Sequence, residues 1–216
     1  MGTSASGGLL ERLREDRVIA VVRAHRVRDP AGLAAALAGH GVRCVEFTFT
    51  IADVLSAIRA AAGRGALVGA GTVLDAAQAH EAVDAGARFV VTPAVRVDVA
   101  HACLDLGVPV VLGAFTPTEI RSAVEAGAAA VKLFPSRVGG PEYVRDLLGP
   151  FPDLALVPSG GVGPENMTAY LEAGAVAVSL GTSLAPPDAV ESGDLDQIVG
   201  RIKRVRATLQ GFPPTL

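Results

Sequence analysis

One short phrase returns along this chain: a small or acidic residue, a glycine, then Ala or Val leading into an apolar run. It reads AGHGVRCVEFTF at 38–49, DAGARFVVTP at 84–93 and DLGVPVVLG at 105–113. It returns as EAGAAAVKLFP at 125–135 and EAGAVAVSLG at 172–181. Self-similarity at a fixed period marks a repeated supersecondary unit. In each copy the glycine suits the left-handed residue that closes a helix, and a strand follows at once. The strands are rich in Val, Ile and Leu without strict alternation, as parallel strands covered on both faces are.

The pattern predicts strands near 18–22, 44–49, 66–69, 89–92, 109–112, 130–133, 154–157 and 177–180. It predicts helices at about 30–39, 53–62, 75–85, 97–106, 117–126, 141–148, 164–173 and 189–209. Pro117, Pro141, Pro164 and Asp75 supply first-turn signals. A further short helix over 9–15 precedes the first strand and would plug the floor of a barrel. Eight βα units in a chain of 216 residues fit a compact (β/α)8 TIM barrel forming one domain. The lead-in, 1–8, is expected to be disordered. An open doubly wound sheet would carry a Gly-rich fingerprint after its first strand, where this chain reads VVRAHRV at 21–27.

Composition excludes several classes of function. A net charge of −3 with no basic stripe argues against nucleic acid. No signal-peptide layout opens the chain, and its apolar stretches are too short or interrupted to span a bilayer, so a cytoplasmic protein without a membrane partner is expected. Cys44 and Cys103 lack metal-ligand spacing and read as buried hydrophobes. The four histidines (His25, His40, His80 and His101) are scattered and no acidic cluster forms an oxygen cage, so neither a metal nor a cofactor is expected.

In a barrel the chemistry sits at the carboxyl ends of the strands. Two lysines stand against seventeen arginines, so Arg serves the basic surface. Lys132 lies instead inside AAAVKLF (128–134), where an ammonium costs several kcal/mol unless it is paired or loses its proton. An unprotonated amine is what imine formation requires, and Arg cannot supply one. Glu46, inside CVEFTFT (44–50), is the matching oddity. Strands two and six face each other across a barrel, so both side chains can enter one pocket. The pair fits an amine nucleophile with a proton shuttle, and equally two buried charges neutralising each other. The glycines of SGG (159–161) and GTS (181–183), with Ser159 and Ser183, mark the place after strands seven and eight where many barrels bind phosphate.

With these residues assembled, the chain resembles the 2-keto-3-deoxy-6-phosphogluconate (KDPG) and 4-hydroxy-2-oxoglutarate (KHG) aldolase family from about residue 14 to 210. The matching stretches are VIAVVRA (18–24), VEFTFT (45–50), VGAGTVLD (68–75), VTPAV (91–95), GAFTPTEI (113–120), VKLFPS (131–136), VPSGGV (157–162) and SLGTSL (179–184). The resemblance implies a Schiff-base lyase on a phosphorylated keto acid, with Lys132 as the imine-forming lysine and Glu46 as general acid/base. It further implies Thr72 on the pyruvyl carboxylate, Pro93 and Phe134 shaping the pocket, and Ser183, Gly160 and Gly161 on the phosphate, with Ser159 and Gly181 beside them. A cytoplasmic homotrimer in Entner–Doudoroff sugar-acid metabolism is the implied setting. Where many members carry an arginine four residues after the glutamate, this chain has Thr50, and Arg23 at the end of strand one is expected to supply the missing cation. The galactonate epimer and KHG remain alternative substrates. A phosphosugar isomerase or epimerase, and a barrel that only binds a phosphorylated metabolite, are the alternatives of other classes.

Overall fold

The computed structural model describes residues 5–210 and Phe212. Its elements run α1 (Ala5–Asp16), β1 (Val18–Val22), α2 (Pro30–Gly39), β2 (Cys44–Thr48), α3 (Val54–Ala61), β3 (Leu67–Gly71), α4 (Ala76–Asp84), β4 (Val90–Val91) and α5 (Val97–Asp105). There follow β5 (Val110–Ala114), α6 (Pro117–Glu125), β6 (Ala130–Leu133), α7 (Gly140–Leu148), β7 (Leu156–Pro158), α8 (Met167–Glu172), β8 (Val178–Leu180), α9 (Pro187–Ser192) and α10 (Leu195–Leu209). A 3-10 turn, Ser136–Val138, links β6 to α7. Residues 1–4, half of the lead-in expected to be disordered, lie outside the described residues.

Local chemistry accounts for the alternation. The glycine of each repeated phrase (Gly41, Gly86, Gly107, Gly127, Gly174) has φ between 67° and 108° just beyond a helix, where a Cβ would be strained. Helix starts are capped: Asp29 accepts from the Gly32 N–H, Asp75 from Gln78 and Asp194 from Gln197. Thr116 and Glu119 form a reciprocal capping box.

All strand pairs are parallel, in the order β7-β6-β5-β4-β3-β2-β1-β8. The seam between β7 and β8 is bridged by the Val176 N–H to the Leu156 carbonyl at 3.0 Å, so the sheet curls into a nearly closed barrel. Its two faces make two cores. Ala20, Val22, Val45, Phe47, Leu112 and Leu133 pack outward against the helices. Ile19, Val21, Cys44, Phe89, Val91, Val111, Ala130, Val157 and Ala177 fill the barrel, and Leu9 and Leu13 of α1 join them. The helix expected at the floor is therefore the plug. Its end is held by Arg43, whose N–H and Nε donate to the Asp16 carboxylate, and by Arg206, which donates to the Asp16 carbonyl.

Three expected helix boundaries move by three residues or more. The floor helix read over 9–15 starts at Ala5, inside the lead-in expected to be disordered. The single helix read over 189–209 is two, because Gly193 adopts φ 79° and Asp194 then caps a new start. The helix read from 164 begins at Met167, because Asn166 folds back to accept the Gly163 N–H and makes a turn of the preceding residues. No helix among the described residues is long and apolar enough to cross a membrane.

Candidate active site

Period-two alternation sorts each strand into barrel-facing and helix-facing residues. Cys44 and Ala130 face the interior, so Glu46 and Lys132, two residues on, do as well. The register places Glu46 beside Val21 and Gly69, and Lys132 beside Gly113 and Val157. From opposite walls the two side chains meet: Lys132 Nζ lies 3.6 Å from Glu46 Oε1. Glu46 is fully buried and Lys132 is 4% exposed. At 3.6 Å the contact is an ion pair and not a hydrogen bond. Neither carboxylate oxygen has a hydrogen-bond partner among the described residues. Both acceptors are thus unspent on the protein and open to a hydroxyl or a water brought to the amine.

Neighbouring residues make room for this pair. A Cβ on Gly71 would fall 1.9 Å from Glu46 Oε1, so the carboxylate lies across the bare backbone of β3. One step lower, a Cβ on Gly69 would strike the Phe89 ring at 2.4 Å. The VGAG stretch therefore accommodates a ring in the floor and a carboxylate above it. The Lys132 ammonium stands 5.8 Å from the centre of the Phe134 ring, within cation–π range.

Around the pair stand the other residues singled out by sequence. Thr72, immediately after β3, has φ 57°, a conformation costing a β-branched residue about 1–3 kcal/mol. The next N–H, of Val73, bonds the Val91 carbonyl and holds the bend. Pro93 is fixed by Thr92, whose hydroxyl donates to the Ala94 carbonyl and accepts the Gly113 N–H. A Cβ on Gly113 would collide with the Pro93 carbonyl carbon at 2.3 Å. Arg23 follows β1 with the barrel-facing parity of Val21; it is exposed and makes no ion pair among the described residues. Thr50 is also exposed, and its hydroxyl bonds that of Thr48 at 2.7 Å.

The glycine segments after β7 and β8 come together as a cradle. Gly160 and Gly161 have φ 83° and 87°. Their carbonyls are engaged, Gly160 by the Arg137 N–H and Gly161 by Asn166 Nδ2. The Gly181 carbonyl takes the Leu184 and Ala185 N–H groups. Ser183 Oγ reaches the Val162 carbonyl at 3.4 Å and ties one segment to the other. Behind it, Arg201 of α10 donates to the Ser183 carbonyl. Ser159 is pinned through its backbone: its N–H bonds Ser136 Oγ and its carbonyl takes the Ser136 N–H. A Cβ on Gly160 would sit 3.0 Å from the Phe134 ring, so the cradle adjoins the lysine pocket.

Sequence reasoning missed Gly71 as the residue that admits Glu46, although its place two positions after Gly69 on an interior face was a usable signal. Ser136 closes the VKLFPS stretch (131–136), but its stapling of β6 to β7 is visible only in three dimensions. Both cysteines are buried, and burial pushes each thiol up to about 12. No group of three His, Cys, Asp or Glu among the described residues is placed to hold a metal ion.

A family model described as KDPG and KHG aldolase matches residues 9–201. The 2-dehydro-3-deoxy-phosphogluconate aldolase of Treponema pallidum (strain Nichols) is 38% identical over 194 residues, 88% of this chain and 92% of that protein. Among solved structures, the 4-hydroxy-2-oxoglutarate/2-dehydro-3-deoxyphosphogluconate aldolase from TTHB1 superposes with a TM-score of 0.84 at 31% identity, covering 97% of this chain and 100% of that one. KDPG aldolase from Legionella pneumophila, solved with pyruvate captured as a covalent carbinolamine, has a TM-score of 0.83 at 26% identity, with coverage of 94% and 98%.

Gly71→Ala is expected to push the Glu46 carboxylate off its seat. Aldol cleavage should slow by roughly 10–100-fold while circular dichroism stays that of the parent; an unchanged rate would show that the carboxylate need not lie where it does.

Proposed function

The chain belongs to the KDPG and KHG aldolase family, and from that premise we propose that it is a Schiff-base aldolase cleaving 2-keto-3-deoxy-6-phosphogluconate to pyruvate and glyceraldehyde 3-phosphate. The observation that carries this reading is the buried amine of Lys132, 3.6 Å from the Glu46 carboxylate at the carboxyl ends of opposite strands. An amine nucleophile beside a carboxylate with free acceptors is the minimum set for imine chemistry.

The steps follow from that geometry. With its proton passed to Glu46, the Lys132 amine attacks the C2 ketone, and Glu46 returns protons as the carbinolamine loses water. The iminium withdraws electrons, so the C3–C4 bond breaks to leave an enamine while Glu46, through a water, takes the C4 hydroxyl proton. Reprotonation at C3 and hydrolysis release pyruvate and restore the amine. Arg23 and Thr72 hold the substrate carboxylate, Pro93 and Phe134 wall the pocket, and the cradle of Ser159, Gly160, Gly161, Gly181 and Ser183 takes the phosphate through backbone N–H groups and hydroxyls. The same chemistry extends to the galactonate epimer and to 4-hydroxy-2-oxoglutarate. We further propose a cytoplasmic homotrimer in sugar-acid breakdown of the Entner–Doudoroff type; light scattering giving three times the chain mass would support the trimer, and a monomer would remove it.

Borohydride reduction with pyruvate should add one pyruvyl group, mapped to Lys132. A folded protein that gains none would turn the reading to a phosphosugar isomerase. Glu46→Gln should still form some adduct but turn over about 10²–10⁴-fold more slowly, and near-normal turnover would remove Glu46 from the proton path. Arg23→Ala should raise the pyruvate concentration needed for half-maximal trapping by about tenfold or more, as loss of a charged hydrogen bond does; an unchanged midpoint would leave the carboxylate to other groups.

A further inference from the structure

The proposed phosphate cradle is built from neutral groups, yet a phosphate monoester carries about −1.5 to −2 charges near pH 7. Arg201, behind it, is engaged with the Ser183 carbonyl. A cation facing the ligand is therefore still to be found, and the 3-10 turn after the Lys132 strand presents one. The Arg137 N–H donates to the Gly160 carbonyl at 3.0 Å. A Cβ on Gly161 would fall 2.5 Å from Arg137 Cβ and 3.3 Å from both its Cγ and Cδ. The aliphatic stem of Arg137 thus lies along Gly161, the second glycine of the cradle. Its guanidinium end is exposed and makes no hydrogen bond or ion pair among the described residues. In the loop after β7, Glu165 lies over Gly163 and makes no ion pair with Arg137.

We infer that Arg137 is a specificity-determining residue that grips the substrate's phosphate from the open side of the cradle. The inference rests on the phosphorylated substrate proposed above. A guanidinium presents two parallel N–H groups to phosphate oxygens and stays charged at any working pH. Its stem is already laid against Gly161, so little freedom remains to be lost when the head engages. The turn that carries it begins four residues after Lys132, so a phosphate held there is held in fixed relation to the amine. Binding energy at the non-reacting end then helps seat C2 against the nucleophile.

The test compares wild type, Arg137→Met and Arg137→Lys on 2-keto-3-deoxy-6-phosphogluconate and on its unphosphorylated counterpart, with the pyruvyl adduct on Lys132 as the check of an intact site. The readout is the ratio of the two kcat/KM values. Arg137→Met should lower that ratio by about 10–100-fold, the weight of a charged hydrogen bond, mainly through KM for the phosphorylated aldol. Arg137→Lys should restore part of it, and inhibition by inorganic phosphate should weaken in step. A ratio within twofold of wild type in Arg137→Met would overturn the inference. A wild type that does not prefer the phosphorylated aldol would sink the substrate reading and this inference with it, a failure visible before any variant is made.

Discussion

Burying an ammonium and a carboxylate together costs several kcal/mol for each ion before their attraction is counted, and the barrel is arranged around meeting that cost at one place. Lys132 and Glu46 neutralise each other across the interior at 3.6 Å and come from strands that are not hydrogen-bonded neighbours. Neither can be tuned by sliding one strand against the next without disturbing the closure between them. Beneath them Leu9, Leu13, Phe89 and Val91 fill the floor with apolar bulk and close the pair off from that side. In a buried site the pair's interaction is stronger than in water, and so is the penalty for leaving one member alone. A substrate that captures the amine as an imine changes that balance at once. In the proposed mechanism Glu46 then acts on the new hydroxyls and waters, with acceptors that no donor among the described residues occupies.

Space for such a pair comes from glycine where a barrel would ordinarily place branched side chains. Gly69 and Gly71 on β3 face inward, and their missing side chains leave volume to Phe89, just before β4, and to Glu46 of β2. Gly113 does the same for the backbone at Pro93. These glycines keep ordinary φ values, so their value lies in absent volume. The glycines of the repeated phrase, by contrast, serve conformation, at φ near 67–108°.

That distinction explains what could be read from the chain. The helix-closing glycines recur with the period of the fold, so the eight strands and most helices were legible as a repeat. Lys132 was legible because Arg replaces Lys almost everywhere else, leaving a buried lysine conspicuous, and Glu46 because it interrupts an apolar strand. The role of Gly71 was not, since a glycine missing a Cβ looks the same whether it frees the backbone or admits a neighbour's carboxylate. Arg137 was hidden for a related reason: among seventeen arginines nothing marks the one whose stem lies on Gly161. The break at Gly193 was lost because one glycine inside a long helical pattern is often tolerated.

The proposal that Arg23, and not a residue at position 50, supplies the carboxylate-binding charge also has a geometric reading. Strand β1 pairs with β2 so that Val21 stands level with Glu46. The backbone of Arg23 therefore lies about 7 Å along the strand direction above the backbone level of Glu46, at a rise near 3.3 Å per residue. Position 50, four residues past Glu46, lies beyond the end of β2, where Thr50 is tethered to Thr48. Arg23, just past the end of β1, stands on the rim between the ends of β2 and β8. In the proposed reading this places the carboxylate-binding charge and the phosphate cradle on adjoining arcs of the rim. The substrate carboxylate, bonded to the carbon that Lys132 attacks, stays close to the buried pair, and Arg23 at the rim offsets its repulsion by Glu46 while the phosphate end lies over the cradle.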